Sequence, residues 1–305
     1  MLAFPEPPIA PADRIASATM PVRFEDIAQD GRLALEGLAP AVGETVWRKL
    51  LAGSPVTRAL REQKAVPILS RLVVEGEGGP FSTLHALEST GTYAFRHVAK
   101  PDGTVERILI DMWTESTLPL GRNYGAPPEG AGTRVRAGRF FGEHVLTRLF
   151  APPDQRKVTH FEVDGVAAHG EPRAWVTPES VATLPEGAVP LDELRVDPTP
   201  IAFGLAHTDS NQHVNSLQYP RLFEDAAMRR FAEHGRLKPA VLSRWVEAAF
   251  RKPCFAGERY AVALRAFTYE GRLGAIGSFV SEADAASPEL LAKARPHCFV
   301  RMLFG

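Results

Sequence analysis

The stretch His207-Thr208-Asp209-Ser210-Asn211-Gln212-His213-Val214-Asn215-Ser216-Leu217-Gln218-Tyr219 decides how this chain is read. Asp209 to Asn215 brings an acid, the carboxamides of Asn211 and Asn215 and an imidazole together in one short segment. Downstream, Leu217, Leu222, Phe223, Ala226, Ala227 and Phe231 recur at three- and four-residue steps, the period of an amphipathic helix. The pattern predicts a strand end, a polar turn, and a helix from about Ser216 to His234, with Pro220 accommodated near its first turn. The first amides of such a helix lack intrahelical acceptors, and with the helix dipole they can polarise a carbonyl or hold an oxyanion. A carboxylate and a histidine beside them suit acyl-transfer chemistry.

With Tyr219 and Glu224 downstream, Asp209 to Asn215 resembles the signature of hot-dog-fold thioesterases. It is most similar to the Asp-x-Asn-x-His-Val-Asn form of acyl-ACP thioesterases. The resemblance implies an α+β, tandem (double) hot-dog fold, with antiparallel sheets each wrapped round a long helix. It also implies hydrolysis of an acyl thioester on acyl carrier protein or coenzyme A, and it puts Asn211 and His213 in the catalytic set beside Asp209. A non-hydrolytic acyl-binding protein and a hot-dog dehydratase are the rival expectations, the latter needing a differently spaced Asp and His.

Each residue also has a plainer role open to it. Asp209 is either the general base or nucleophile of the reaction, or a helix cap or turn former. His213 is either a proton carrier or a satisfied turn histidine, and Asn215 is expected to fix the turn. Tyr219 and Glu224 lie five residues apart on the helix, so they point in different directions. Glu224 is a lesser catalytic candidate by the resemblance, since some hot-dog thioesterases use a helix glutamate, and otherwise a solvent-facing helix charge. Phe250-Arg251-Lys252-Pro253-Cys254-Phe255-Ala256-Gly257-Glu258 is similar to a segment of plant-type acyl-ACP thioesterases, where an acid and then a cysteine follow the basic pair. Here Pro253 replaces the acid and Cys254 keeps the cysteine's place. Cys254 as nucleophile requires a depressed pKa, which Arg251 or Lys252 supplies only by turning inward; otherwise it is a small apolar residue. Arg229, Arg230, Arg236, Lys238, Arg244, Arg251 and Lys252 are either a surface for carrier protein or coenzyme A, or an ordinary solvated face.

The second half reads as strand Pro200 to Leu205, the motif, the helix, then strands Val241 to Phe250, Arg259 to Tyr269, Leu273 to Glu282 and His297 to Phe304. The first half repeats the order weakly. It gives strand Val22 to Ile27, turn Gln29-Asp30-Gly31-Arg32, helix Ala39 to Leu51, and strands Ile68 to Val74, Phe81 to Ala86, Gly91 to Val98 and Arg107 to Thr114. A further strand is placed in Arg139 to Phe150 or Val158 to Val163. The expected division is residues 18–165, a connector over 166–197 and residues 198–305, with Glu171 to Pro200 extended by its prolines and Gly121 to Arg136 a mobile loop. The first unit, lacking the motif, is expected to supply pocket wall.

Composition sets the outer limits. Of 305 residues, 45% are hydrophobic and 23% charged, ordinary for a globular chain. A net charge of −1 argues against bulk nucleic-acid or anionic-membrane partners. Two cysteines, Cys254 and Cys298, provide no disulfide framework, which fits a reducing cytoplasm. Met1 to Met20 lacks a basic lead into an apolar stretch, so no signal peptide is expected, and no run approaches a membrane span. His85, His97 and His144 are scattered, and neither metal nor cofactor is expected. A homodimer is compatible with the reading.

Overall fold

A computed structural model describes residues 2–236 and 241–305. Contacts divide it into two compact units, Phe4–Val176 and Thr177–Gly305.

The first unit runs β1 (Ile15–Pro21), α1 (Pro40–Val42 continuing as Gly43–Leu51), α2 (Pro55–Glu62), β2 (Val66–Gly76), β3 (Ala86–Ala99), β4 (Val105–Pro119), β5 (Arg134–Thr147), the hairpin β6 (Glu162–Val163) and β7 (Val166–Ala167), and β8 (Glu171–Pro172). Its sheet has the order β1-β3-β4-β5-β2, antiparallel throughout, with β8 added parallel to β3. Val46 and Leu51 of α1 share one core with Tyr93, Phe95, Ile108, Ile110, Met112 and Leu146, because alternate side chains of β3, β4 and β5 point to the helix. The end of α1 is widened: the Ala52 amide donates five residues back, to the Trp47 carbonyl, at 2.8 Å. Helix and sheet approach tightly at Gly91, where a Cβ would fall 2.1 Å from Thr45 Oγ1. Only glycine fits there.

The second unit runs α3 (Pro178–Val181), β9 (Val189–Pro190), β10 (Arg195–Val196), β11 (Ile201–Ala202), α4 (Gln218–Glu233), β12 (Ser243–Phe250), β13 (Arg259–Tyr269), β14 (Arg272–Ser281), α5 (Pro288–Lys293) and β15 (Cys298–Phe304). Its sheet order is β12-β15-β14-β13-β10, with β9 and β11 also on β13. The apolar stripe of α4 is the expected one. Phe223, Ala226, Ala227 and Phe231 are fully buried, and Phe231 meets Phe304 edge-on with ring centroids 4.9 Å apart. Each unit therefore lays an antiparallel sheet across one long helix, the α+β tandem hot-dog fold. Among the described residues no helix is long and apolar enough to cross a membrane.

Several expectations need correction. Val22 to Ile27 is not a strand; β1 lies upstream, and Phe24–Asp26 forms a single 3-10 turn. The Asp26 carboxylate accepts the Arg23 amide at 2.9 Å, a local bond that competes with strand pairing. Phe81 to His85 contributes only the bridge Phe81↔Leu120, with Ala86 already the first residue of β3, since the Asn123 side chain accepts the Thr83 amide at 2.9 Å and holds a turn. Val158 to Val163 yields only β6, Pro200 to Leu205 shrinks to β11, and β5 begins inside the expected loop, at Arg134. The proline-rich stretch is extended but not bare: β9, β10 and β11 all pair with β13, and Val181 is buried against Ala249 and Phe299.

Candidate active site

The motif sits between a 3-10 turn, Leu205–His207, and the start of α4. His207 Nδ1 accepts the Gly204 amide at 2.9 Å, and Thr208 and Val214 form a β-bridge that closes the loop between them. Inside it, Asp209 Oδ1 accepts the Asn211 amide at 2.9 Å and Oδ2 accepts Asn215 Nδ2 at 3.0 Å. Asn215 Oδ1 in turn accepts the Leu217 amide at 2.9 Å, and its carbonyl accepts Gln218 N–H at 3.0 Å. The carboxylate thus orients the carboxamide that caps the helix. Leu217 and Gln218 being taken, and Pro220 having no N–H, the amides open to a carbonyl at the helix start narrow to Ser216 and Tyr219.

Asp209 is half-buried, as is His213, while Asn211 is exposed. A carboxylate has about four lone-pair positions, so the two structural bonds leave Asp209 acceptor capacity for a water. His213 Nδ1 lies 3.3 Å from the Val214 carbonyl. A carbonyl only accepts, so Nδ1 is the donor in that bond and Nε2 is the ring nitrogen left for other partners. The turn brings Asp209 and Asn215 into direct contact. The Asn211 and His213 side chains do not hydrogen-bond to that carboxylate.

Behind the turn lies a polar-aromatic cluster. The Cys254 carbonyl accepts the Val214 amide at 2.8 Å, and the Cys254 amide donates to Tyr219 Oη at 3.2 Å. Tyr260 Oη donates to Glu258 at 2.7 Å. Burial pushes the Cys254 thiol up, against a smaller opposing effect of the Tyr219 and Tyr260 hydroxyls. Burial likewise pushes the Tyr219 and Tyr260 hydroxyls up. Arg251 does not turn inward: it pairs with Glu179 at 3.1 Å, and Lys252 is exposed. Nothing in this setting activates Cys254 as a nucleophile.

Glu224 does not simply face water. Its Oε1 accepts the Ser243 amide at 2.9 Å, pinning α4 to the start of β12. Part of the basic set is turned to internal pairing, while Arg251 and Lys252 stay exposed. Arg230 is 1% exposed and pairs with Asp192 at 2.8 Å, Arg229 clasps buried Asp197 at 2.8 Å, and Arg244 is buried. Arg236 is exposed; Lys238 lies outside the described residues. Buried arginines need such partners, because an unpaired guanidinium away from water is costly.

The corresponding turn of the first unit carries Ala28, Asp30, Arg32 and Ala34 where the second has Asp209, Asn211, His213 and Asn215. Its histidines do other things. His144 is buried edge-on against Trp47, and burial lowers its pKa to about 4; His97 Nδ1 bonds the His169 carbonyl at 3.1 Å. No group of three metal-ligating side chains occurs among the described residues. Sequence reasoning missed a buried ionic cluster, in which Arg173 Nε lies 3.0 Å from Asp111 and Arg173 Nη2 pairs with Glu143. Burial raises the Asp111 carboxyl to about 6, with Arg173 opposing. The available signal was an acid in the middle of an apolar strand, Ile108-Leu109-Ile110-Asp111-Met112-Trp113.

Solved structures are similar in fold over 95% of the chain. An acyl-ACP thioesterase from Bacteroides thetaiotaomicron is similar with a TM-score of 0.54 and 14% identity, over 95% of this chain and 98% of that one. A 12:0-ACP thioesterase from Umbellularia californica is similar with a TM-score of 0.56 and 13% identity, over 95% and 94%. At such identity the likeness is one of fold. No protein-family model matches the chain, and no curated protein matches it in sequence.

Proposed function

We propose that the chain hydrolyses an acyl thioester, carried on acyl carrier protein or coenzyme A, to the free acid and thiol. The observation that carries this reading is the held Asp209 carboxylate, oriented by Asn211 N–H and Asn215 Nδ2 and set beside a helix start. As general base, Asp209 takes a proton from water while the water oxygen attacks the thioester carbonyl. The Ser216 or Tyr219 amide receives the oxyanion. Collapse breaks the C–S bond, and the thiolate leaves with the proton Asp209 took. His213 Nε2 serves as a second proton carrier, and Asn211 helps position the water. Should Asp209 attack the carbonyl itself, the same thiolate leaves and water then cleaves the resulting anhydride. The corresponding turn of the first unit carries none of these catalytic side chains, so the chemistry is assigned to the second unit alone.

A second reading, an acyl-binding protein without turnover, is favoured by one observation: both Asp209 oxygens already serve the turn. Thiol release from a panel of acyl-CoA and acyl-carrier-protein thioesters separates the two. Hydrolysis that drops 10²–10⁴-fold on losing Asp209, the range for a positioned acid–base group, supports the hydrolase. Hydrolysis unchanged in the variant removes Asp209 from the mechanism, and no release from any thioester supports the binding protein.

A further inference from the structure

The second sheet has a face away from α4, because α4 packs on Phe279 and Phe304 and neighbouring side chains alternate. On that outer face lies a hollow of about 290 Å³, near the lower end of small-molecule sites. Its floor is one cross-strand row, Ala263 of β13, Ser278 of β14 and Phe299 of β15, paired in register. Ala182, Leu194 and Leu291 form the walls. Beside it the same face is closed by Val181 on Ala249 and Phe299, so the space exists because Ala182, Ala263 and Ser278 are small. At the rim stands the Arg251–Glu179 pair, with side chains 34% and 56% exposed. A pair so exposed holds weakly and exchanges readily for another anion. Apolar walls that face water gain by being covered.

We propose that this hollow binds an acyl carboxylate, its tail over Ala263, Ser278 and Phe299 and its carboxylate on Arg251 in place of Glu179. An apolar cleft with one guanidinium at its rim has the charge and shape of an anionic amphiphile of short chain. The choice of an acyl carboxylate among such amphiphiles rests on the hydrolase reading, since that is the acid the reaction releases. The site is separate from the 209–215 turn, none of whose residues line it.

Titration calorimetry of the full chain with octanoate and with octanol tests this directly. Octanoate binding is expected to fall at least tenfold in Arg251→Gln, about 1.4 kcal/mol. It should disappear in Ser278→Leu, which fills the floor, and octanol should bind at least tenfold more weakly than octanoate. The component lost in Arg251→Gln should persist in Asp209→Ala. Arg251 is a rim residue, so its variant decides the matter even where Ser278→Leu fails to fold. Absent binding, equal binding of octanol, survival in Arg251→Gln, or loss in Asp209→Ala each overturns the site. No turnover is measured, so its failure leaves the hydrolase standing, and a chain that binds octanoate yet releases no thiol loses the hydrolase and keeps the site.

Discussion

In the first unit Ala28 N–H donates to the Arg32 carbonyl at 2.8 Å, and Gly31 N–H donates to Ala28 at 2.9 Å. In the second, Asp209 N–H donates to His213 at 3.2 Å, and Gln212 N–H donates to Asp209 at 2.9 Å. The correspondence extends outward. Ala34 N–H reaches the Asp26 carbonyl at 2.8 Å, and Asn215 N–H reaches His207 at 2.9 Å. Both turns have a left-handed residue at the same position, Gly31 at φ +84° and Gln212 at φ +65°. The backbone therefore closes without a carboxylate at its first position or a carboxamide at its last. In the second unit those side chains brace the turn and cap the helix, but the backbone bonds that close the loop do not depend on them, which leaves a chemical role for them open to test.

The sharpest way to break the comparison is Asp209→Ala, which gives the second turn the residue of the first. Thioester hydrolysis should fall 10²–10⁴-fold, while circular dichroism and the cooperativity of unfolding stay close to wild type. If the variant unfolds instead, the carboxylate is part of the turn's architecture and the two turns are not equivalent.

The units also differ in buried ionisable groups, and here pH is the probe. The Asp111 carboxyl is raised from 3.8 to about 6 by burial. Its contribution to stability is full below pH 3.8 and lost as pH rises through 6. His144 is lowered from 6.5 to about 4, also by burial. Its contribution is full above pH 6.5 and lost as pH falls through 4. The two oppose each other over one window. Urea unfolding between pH 4 and 6.5 should climb more steeply with pH in Asp111→Asn and less steeply in His144→Gln. Identical slopes in both variants and wild type would mean that neither group titrates differently on folding.

These pairs show what a sequence exposes and what it hides. The motif was legible because its members lie within one turn, and α4 because its apolar stripe, Leu222 to Phe231, runs unbroken for about three turns. Asp111 and Arg173 meet only because β4 and the chain after β8 converge, and no local pattern announces that. Strand β1 was missed because Ile15-Ala16-Ser17-Ala18-Thr19-Met20 is small and polar, weaker as a signal than the Val22-Arg23-Phe24 that follows. Helices α2 and α5 are a different failure. Each starts with a Ser-Pro pair whose serine accepts an amide of the first turn, Ser54 from Thr57 at 3.3 Å and Ser287 from Leu290 at 3.3 Å. That start signal was visible in Ser54-Pro55 and Ser287-Pro288. For the site, residue types and a turn-holding role for Asp209 could be read, but not which bonds its two oxygens make, Oδ1 with the Asn211 amide and Oδ2 with the Asn215 side chain.

Smaller changes sharpen the comparison further. Asn215→Ala copies Ala34 and removes the cap on the Leu217 amide. It should lower stability by about 1 kcal/mol and activity by less than Asp209→Ala does, because the carboxylate stays but loses one of its two guides. An activity loss equal to that of Asp209→Ala would make Asn215 part of the chemistry.

The smallest effect, and the cleanest test of backbone equivalence, belongs to Gln212→Gly. A left-handed conformation costs a side-chain-bearing residue about 1–2 kcal/mol, and Gln212 holds it at φ +65° with its side chain exposed. Glycine relieves that strain but brings a more flexible unfolded chain, which takes back roughly 0.5–1 kcal/mol. The net expectation in denaturant titration is a gain of about 0.5–1 kcal/mol, with thiol release unchanged. That is the behaviour of a position that supplies a bend and nothing else, as Gly31 does in the first unit. A destabilised Gln212→Gly, or one that loses activity, would show that the carboxamide holds something the first turn has no need to hold, and the match between the two loops would then stop at their hydrogen bonds.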